Sequence, residues 1–399
     1  MKIVLVIDQF DDANNGTTIS ARRFAMAIKE HGNEVRVIAI GKPGPNKYAV
    51  RQMRFMPIVE HLITSQGMRL AVPNRHVFEK AAAWADVVHF MMPSPLAVMG
   101  LKHVEKLGIP HTAAFHCQPE NITFTLHLGN SKRVNDFLYN RFRDSFYNRF
   151  THIHCPSNMI ADQLRQHGYT AQLHVISNGI SPQYHYRKLP KEDWMLGRFN
   201  VLMVGRYAGE KRQDVLIDAC ARSRYAQQLQ VILAGKGPLE RKYRRLAEKL
   251  PNPIVMEFYT PERLLDILSM CDLYVHTSDA EIEAMSCMEA FACGLVPVIA
   301  DSPRSATPQF ALDERSLFPA GDSVALASRI DWWIDHPAQR QEMEVRYAEH
   351  AKQYALERSI QLTEEMFRQA IAEQRGSAQY LHPGSEGPPP GDTGGGPFA

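Results

Sequence analysis

A chain of 399 residues exceeds what one hydrophobic core normally supports, so two domains of ordinary size are expected. Its 45% hydrophobic and 22% charged residues fit a soluble globular enzyme, and a net charge of +2 is too small for a nucleic-acid partner. Six cysteines without a C-x-x-C pair argue against a disulfide framework or a zinc site and place the chain in a reducing cytoplasm.

The elements then follow in chain order. Residues 2–7 form a buried strand whose apolar stretch is too short for a signal peptide. Further strands are expected at 34–40, 87–91, 111–115, 151–155 and 173–176, separated by helical periodicity at 18–31, 96–107, 134–149 and 161–167. A polar, proline-bearing linker follows at 181–196. The second half repeats the alternation, with strands at 201–204, 230–234, 254–258, 273–276, 296–300 and 316–318. Its helices fall at 214–222, 239–249, 261–270, 286–293 and 323–335, followed by long amphipathic helices at 339–352 and 357–373. Such alternation predicts an α/β protein of two Rossmann-like, doubly wound domains, 1–180 and 197–356. The Gly, Pro and Ser composition of 376–399 predicts a disordered tail. No run approaches the roughly 18 apolar residues of a spanning helix.

Charge is unevenly divided, since residues 1–180 hold 20 Lys and Arg against 13 Asp and Glu, near +7, which leaves about −5 for the rest. A basic half suits an anionic partner such as a phospholipid surface or a polyanionic acceptor. Between Cys117 and Phe150 the basic residues Lys132, Arg133, Arg141, Arg143 and Arg149 mix with Phe137, Tyr139, Phe142, Phe146 and Tyr147. That pattern fits either a helix lying on an anionic membrane or aromatics packed into the core.

The chemistry-bearing pattern runs from Ser278 to Ala290. Glu281 ends a strand segment and Glu289, eight positions later, lies in the first turn of the next helix. In an open α/β sheet that crevice is where ligands bind, because strand ends and helix amino-termini converge there. Ser286 and Glu289 also make an S-x-x-E pattern, which by itself could be a capping box. Ser286, Cys287 and Met288 open the helix and are expected to meet the ligand. After another strand, Val204-Gly205-Arg206-Tyr207-Ala208-Gly209-Glu210-Lys211 offers a rigid guanidinium fork and a mobile ammonium, a pair able to neutralise a diphosphate without metal. No D-x-D triplet occurs, so no metal or other cofactor is expected. Asn14-Asn15-Gly16 before the first helix could turn backbone N–H groups toward the same diphosphate. Gly235-Lys236-Gly237 makes a tight turn suited to the nucleotide base or to a purely structural role. The chain lacks G-x-G-x-x-G, which counts against a dinucleotide-binding dehydrogenase.

The E-x7-E spacing followed by a buried strand at 296–300 resembles the retaining GT-B glycosyltransferases of family four, over roughly residues 1–370. The resemblance implies that Glu281 approaches the donor hexose, Glu289 the nucleotide ribose, and Arg206 with Lys211 the diphosphate. It departs from the usual E-G-F-G opening, with Ile282, Glu283, Ala284 and Met285 in its place. The resemblance also implies that His116 lies beside donor sugar and acceptor, that Gly16, Gly205 and Gly237 line the donor, and that Asn178-Gly179 is an interdomain hinge. It further implies that the last helix, about 357–374, returns to the first domain. Residues 114–154 are similar to the branch that includes 1,2-diacylglycerol 3-glucosyltransferases. The implied activity is transfer of glucose from UDP-glucose to a membrane lipid, by a cytoplasmic protein peripheral on the inner membrane face. Alternatives are a glycan acceptor in capsule or other polysaccharide assembly, a non-catalytic sugar-nucleotide-binding protein, and a GT-B epimerase.

Overall fold

A computed structural model describes residues 1–11, 16–56, 60, 64, 67–125, 128–129 and 131–381. The first half builds a seven-stranded sheet in the order β3-β2-β1-β4-β5-β6-β7. Its strands are β1 (Lys2–Val6), β2 (Glu34–Ile40), β3 (Lys47–Val50), β4 (Val87–Phe90), β5 (His111–Ala114), β6 (His152–Cys155) and β7 (Gln172–Val175). Every pairing is parallel, with Ile3 opposite Val35 on one side and Val87 on the other. Parallel neighbours need crossovers, supplied here by α1 (Gly16–Glu30), α2 (Arg75–Ala82), α3 (Pro95–Lys106), α4 (Pro119–Thr125), α5 (Lys132–Ser145) and α6 (Asn158–Gln166). Helices on both faces explain why Ile3, Val4, Leu5 and Val6 are all buried rather than alternating in exposure.

The second half builds a six-stranded sheet in the order β10-β9-β8-β11-β12-β13, again parallel throughout. Its strands are β8 (Phe199–Val204), β9 (Leu229–Ala234), β10 (Val255–Glu257), β11 (Leu273–His276), β12 (Pro297–Asp301) and β13 (Leu317–Pro319). Helices α7 (Gln213–Arg222), α8 (Glu240–Ala247), α9 (Pro261–Met270), α10 (Met285–Ala292) and α11 (Ser323–Asp335) connect them. Winding reverses between β1 and β4 in the first sheet and between β8 and β11 in the second. A crevice opens beyond the carboxyl ends of strands at such switch points, so the loops after β8 and β11 face each other across one.

The chain crosses between the halves twice, side by side. Ile180 donates its N–H to Tyr354 at 2.8 Å, and Leu356 donates to Ile180 at 3.0 Å. Gly179 has φ +77°, and a Cβ there would stand 2.7 Å from the Leu356 Cα, so both conformation and contact require glycine. The linker adheres to the second half through Arg187 with Asp266 at 2.5 Å and Lys191 with Asp272 at 2.6 Å. After α12 (Pro337–Ala351), α13 (Leu356–Leu381) packs on α1, β4, β5 and β6 of the first half.

Several expectations change. β3 and α2 were outside the sequence patterns, as was α4; β3 is a half-exposed edge strand, and α2 spans 8 residues with Asn74 capping Val77. The helix expected over 134–149 is α5 followed by a separate 3-10 turn, Tyr147–Arg149. Helix α13 runs to Leu381, past the point at 376 where composition placed the start of a disordered tail; 382–399 lie outside the described residues.

Candidate active site

The loops after β8 and β11 are laced together. Thr277 donates its hydroxyl to the Lys211 carbonyl at 2.8 Å, and Asp279 donates its N–H to the Glu210 carbonyl at 2.7 Å. This backbone pairing brings the Lys211 ammonium against Glu281 Oε1. His276, the last residue of β11, meets the same oxygen through Nε2 at 3.1 Å. Its Nδ1 lies 3.2 Å from the Tyr274 hydroxyl, which donates to Ser286 at 3.1 Å, and Ser286 donates to the Val204 carbonyl at 3.2 Å. Burial alone would raise the Glu281 carboxyl, but Lys211 and His276 outweigh it and hold the group well below the usual carboxylate range. Arg206 pairs with Glu210 at 3.0 Å. Both cations expected to meet a diphosphate are therefore balanced by carboxylates, and both remain partly exposed, at 28% and 20% of their side chains.

Helix α10 starts from Ala284, whose φ of +60° is left-handed, so Ser286 lies inside the helix rather than at its cap. Ser286 and Glu289 consequently form no capping box. Glu289 instead reaches across to Arg23 of α1, with Nη2 to Oε1 at 2.5 Å. The N–H groups of Cys287 and Met288 both go to the Ala284 carbonyl, and their side chains are buried in the core. The N–H groups ahead of these first intrahelical bonds are those of Met285 and Ser286.

Glycines divide by role. A Cβ at Gly205 would approach Lys211 only to 3.8 Å, and one at Gly16 would meet nothing within 4 Å, so space is open at both. Asn14 and Asn15 lie outside the described residues. At Gly237 a Cβ would come within 2.5 Å of the Tyr207 carbonyl, and at Gly235 within 2.1 Å of the Gly205 carbonyl. Gly237 therefore permits close packing of the β8 and β9 loops.

His116, just beyond β5, is 7% exposed and packs edge-on to His154 at 5.2 Å. Burial, with His154 and His89 nearby, holds its imidazole well below the ordinary value, so it is neutral. Two residues later, Gln118 donates to the Arg304 carbonyl at 3.0 Å, the acceptor that also takes the Glu281 N–H at 3.3 Å. The His116 side of the first sheet and the Glu281 turn of the second are thus joined through one carbonyl group.

Residues 14–184 match the family model described as Glycosyltransferase Family 4, and residues 188–354 match Glycosyl transferases group 1. The chain belongs to the GT-B glycosyltransferases of this family. A GDP-mannose-dependent alpha-mannosyltransferase of Corynebacterium glutamicum is 26% identical over 319 residues, 77% of this chain and 73% of that one. Sucrose-phosphate synthase from Thermosynechococcus elongatus superposes at TM-score 0.76 with 17% identity, over 93% of this chain and 99% of that one. Anabaena Alr3699/HepE in complex with UDP and glucose gives TM-score 0.68 and 18% identity, over 94% and 100%.

Three residues of this glycosyltransferase escape sequence reasoning. His276 had a signal, as a histidine closing a buried strand five positions before Glu281. Glu283 had only its place in the altered turn; it accepts from the N–H and the side-chain amide of Asn178, both at 2.7 Å. Arg23 had none, being 266 positions from its partner. Ser157 adds a hydroxyl to the Ile282 carbonyl at 2.8 Å, so the turn between Glu281 and α10 is gripped by the first domain at two points.

Proposed function

We propose that the protein is a retaining hexosyltransferase that moves glucose from UDP-glucose to a membrane lipid such as diacylglycerol, without a metal ion. The observation that carries this reading is the Lys211–Glu281 contact at the second switch point, with Arg206 on the same loop. On this reading Arg206 and Lys211 would meet the diphosphate, and Glu281 the hydroxyls of the hexose.

The bond to be broken joins the anomeric carbon to a phosphate oxygen. Negative charge grows on the departing diphosphate, and fixed cations beside it stabilise the transition state more than the ground state. Arg206 would hold the diphosphate through its fork while Lys211 swings from Glu281 toward the leaving oxygen. The acceptor hydroxyl forms its bond on the same face of the anomeric carbon and passes its proton to the leaving phosphate oxygen. Glu281 would orient the hexose, and Glu289 would take the ribose. His116, neutral through burial, can donate or accept one hydrogen bond at the sugar but brings no positive charge.

Glucose is favoured by the resemblance of residues 114–154 to the diacylglycerol glucosyltransferase branch; a second donor, GDP-mannose, is favoured by the mannosyltransferase relative. A lipid acceptor is supported by the exposed face of α5, where Arg133, Phe137 and Arg141 follow one another at helical spacing. The test is hydrolysis of UDP-glucose, GDP-mannose and ADP-glucose in EDTA, then transfer of the preferred sugar to diacylglycerol vesicles with the anomeric configuration read by NMR. The expected result is activity undiminished by EDTA and an α-linked glycolipid. Loss in EDTA restored by Mg2+ would remove the metal-free clamp, and a β-linked product would remove retention.

A further inference from the structure

We infer that Arg23 is a positioning residue of the donor site, reaching from the first domain to fix Glu289 through Nη2 while presenting Nη1 to the nucleoside diphosphate. The inference rests on the ribose reading of Glu289. Residues 20 and 23 of α1 face residues 285 and 289 of α10, since Ser20 Oγ also lies 3.3 Å from Met285 Sδ. Arg23 is therefore aimed by its helix rather than caught by chance. Its guanidinium lies 5.8 Å from the ring centre of Tyr184, in the linker, so three segments meet on it.

Two features go beyond an ordinary interdomain pair. The Arg23 Nη1 atom is buried and makes no hydrogen bond of normal geometry, with the Tyr184 hydroxyl the nearby oxygen that, beside Glu289, favours the guanidinium charge. A buried guanidinium N–H without an acceptor is costly, and a ribose or phosphate oxygen arriving beside Glu289 would supply one. The described contact of Glu289 with Arg23 engages Oε1, which leaves Oε2 to accept a ribose hydroxyl. Burial raises the Glu289 carboxyl, and Arg23 is the cation that opposes this. The other titratable groups facing it, Tyr184 from the linker and Cys293 just after α10, are both pushed up to about 12 by burial and stay neutral.

The test titrates UDP and GDP, each alone, into full-length wild type, Arg23→Met, Arg23→Lys and Glu289→Gln, with melting curves run alongside. Arg23→Met should weaken the preferred diphosphate by roughly tenfold or more, the scale of a charge-assisted hydrogen bond. Arg23→Lys should recover part of that loss, and it keeps the question answerable if the Met variant does not fold. Without Arg23 the buried Glu289 carboxyl takes up a proton more readily, so the Met variant's affinity should fall more steeply than wild type's as the pH is lowered. A folded Arg23→Met with wild-type affinity, or pH profiles running parallel, would overturn the inference. Glu289→Gln at wild-type affinity would instead remove the ribose reading beneath it.

Discussion

Lys211 meets Glu281 in the structure and, in the proposed mechanism, answers next to the departing diphosphate. Its removal should therefore show in both rate and stability. Lys211→Ala should lower turnover by about 10²-fold or more, the scale for losing one transition-state stabiliser. It should also lower the melting temperature, because a buried carboxylate losing its main partner costs on the order of 1–3 kcal/mol. The Glu281 carboxyl lies below its ordinary value when folded, so its contribution is present above the usual carboxylate range and is lost as pH falls through it. The double variant Lys211→Ala with Glu281→Gln should regain stability but not turnover. Recovery of turnover there would place Lys211 outside the chemistry. The glutamates should fail differently: Glu281→Gln in turnover, Glu289→Gln in nucleotide affinity. With no capping box at Ser286 and Glu289, a lost affinity in the second variant cannot be ascribed to a lost helix cap.

The turn from Glu281 to Ala284 is the element on which both domains act, and Glu283 is its buried anchor. Burial pushes the Glu283 carboxyl up to about 7, although Ser177 and Asn178 hydrogen bonds pull the other way. Between the ordinary 4.5 and about 7 the folded protein binds a proton there that the unfolded chain does not, so stability falls as pH rises through that window. Glu283→Gln, which keeps an acceptor for Asn178 but cannot ionise, should remove up to about 3 kcal/mol of that slope. Denaturant unfolding of both proteins across the window checks it, and parallel curves would show that Glu283 does not titrate there. The same turn shows what local pattern can and cannot reveal. Lys211 and Glu281 were legible because each lies in a short motif soon after an apolar strand, β8 or β11, and β11 was legible because a parallel strand covered on both faces reads as an unbroken apolar run. Strand β3 was not, since Lys47, Tyr48 and Ala49 are half-exposed at a sheet edge and carry no such run. Nor were Arg23 with Glu289 or Glu283 with Asn178, separated by 266 and 105 positions, because only the packing of one domain on the other brings them together.

At the scale of the molecule, the excess of positive charge in the first half becomes a particular surface on α5. Of the aromatics in this region, Tyr139, Phe146 and Tyr147 are buried, whereas Phe137 is 65% exposed. Arg133 and Arg141 stand exposed one turn before and one turn after it. The other three basic residues of this stretch are already engaged: Lys132 pairs with Asp136 at 2.6 Å, Arg143 binds Asp144 and donates to the His167 carbonyl at 2.6 Å, and Arg149 pairs with Glu105. No helix among the described residues is long and apolar enough to cross a membrane. A phenylalanine between two arginines can bury its ring at the acyl boundary while the guanidinium groups stay among anionic headgroups. The protein should therefore float with vesicles containing phosphatidylglycerol, bind neutral vesicles weakly, and leave as salt rises, since surface attraction decays within about 8 Å at physiological ionic strength. Replacing Arg133 and Arg141 by Gln should weaken flotation and its salt dependence. Phe137→Ser should weaken flotation while leaving the salt dependence in place, because it removes the apolar anchor alone. All three changes lie outside the Lys211–Glu281 site, so hydrolysis of the donor in solution should be unaffected. Wild type remaining in the soluble fraction at low salt would turn the acceptor question from a lipid to a soluble glycan.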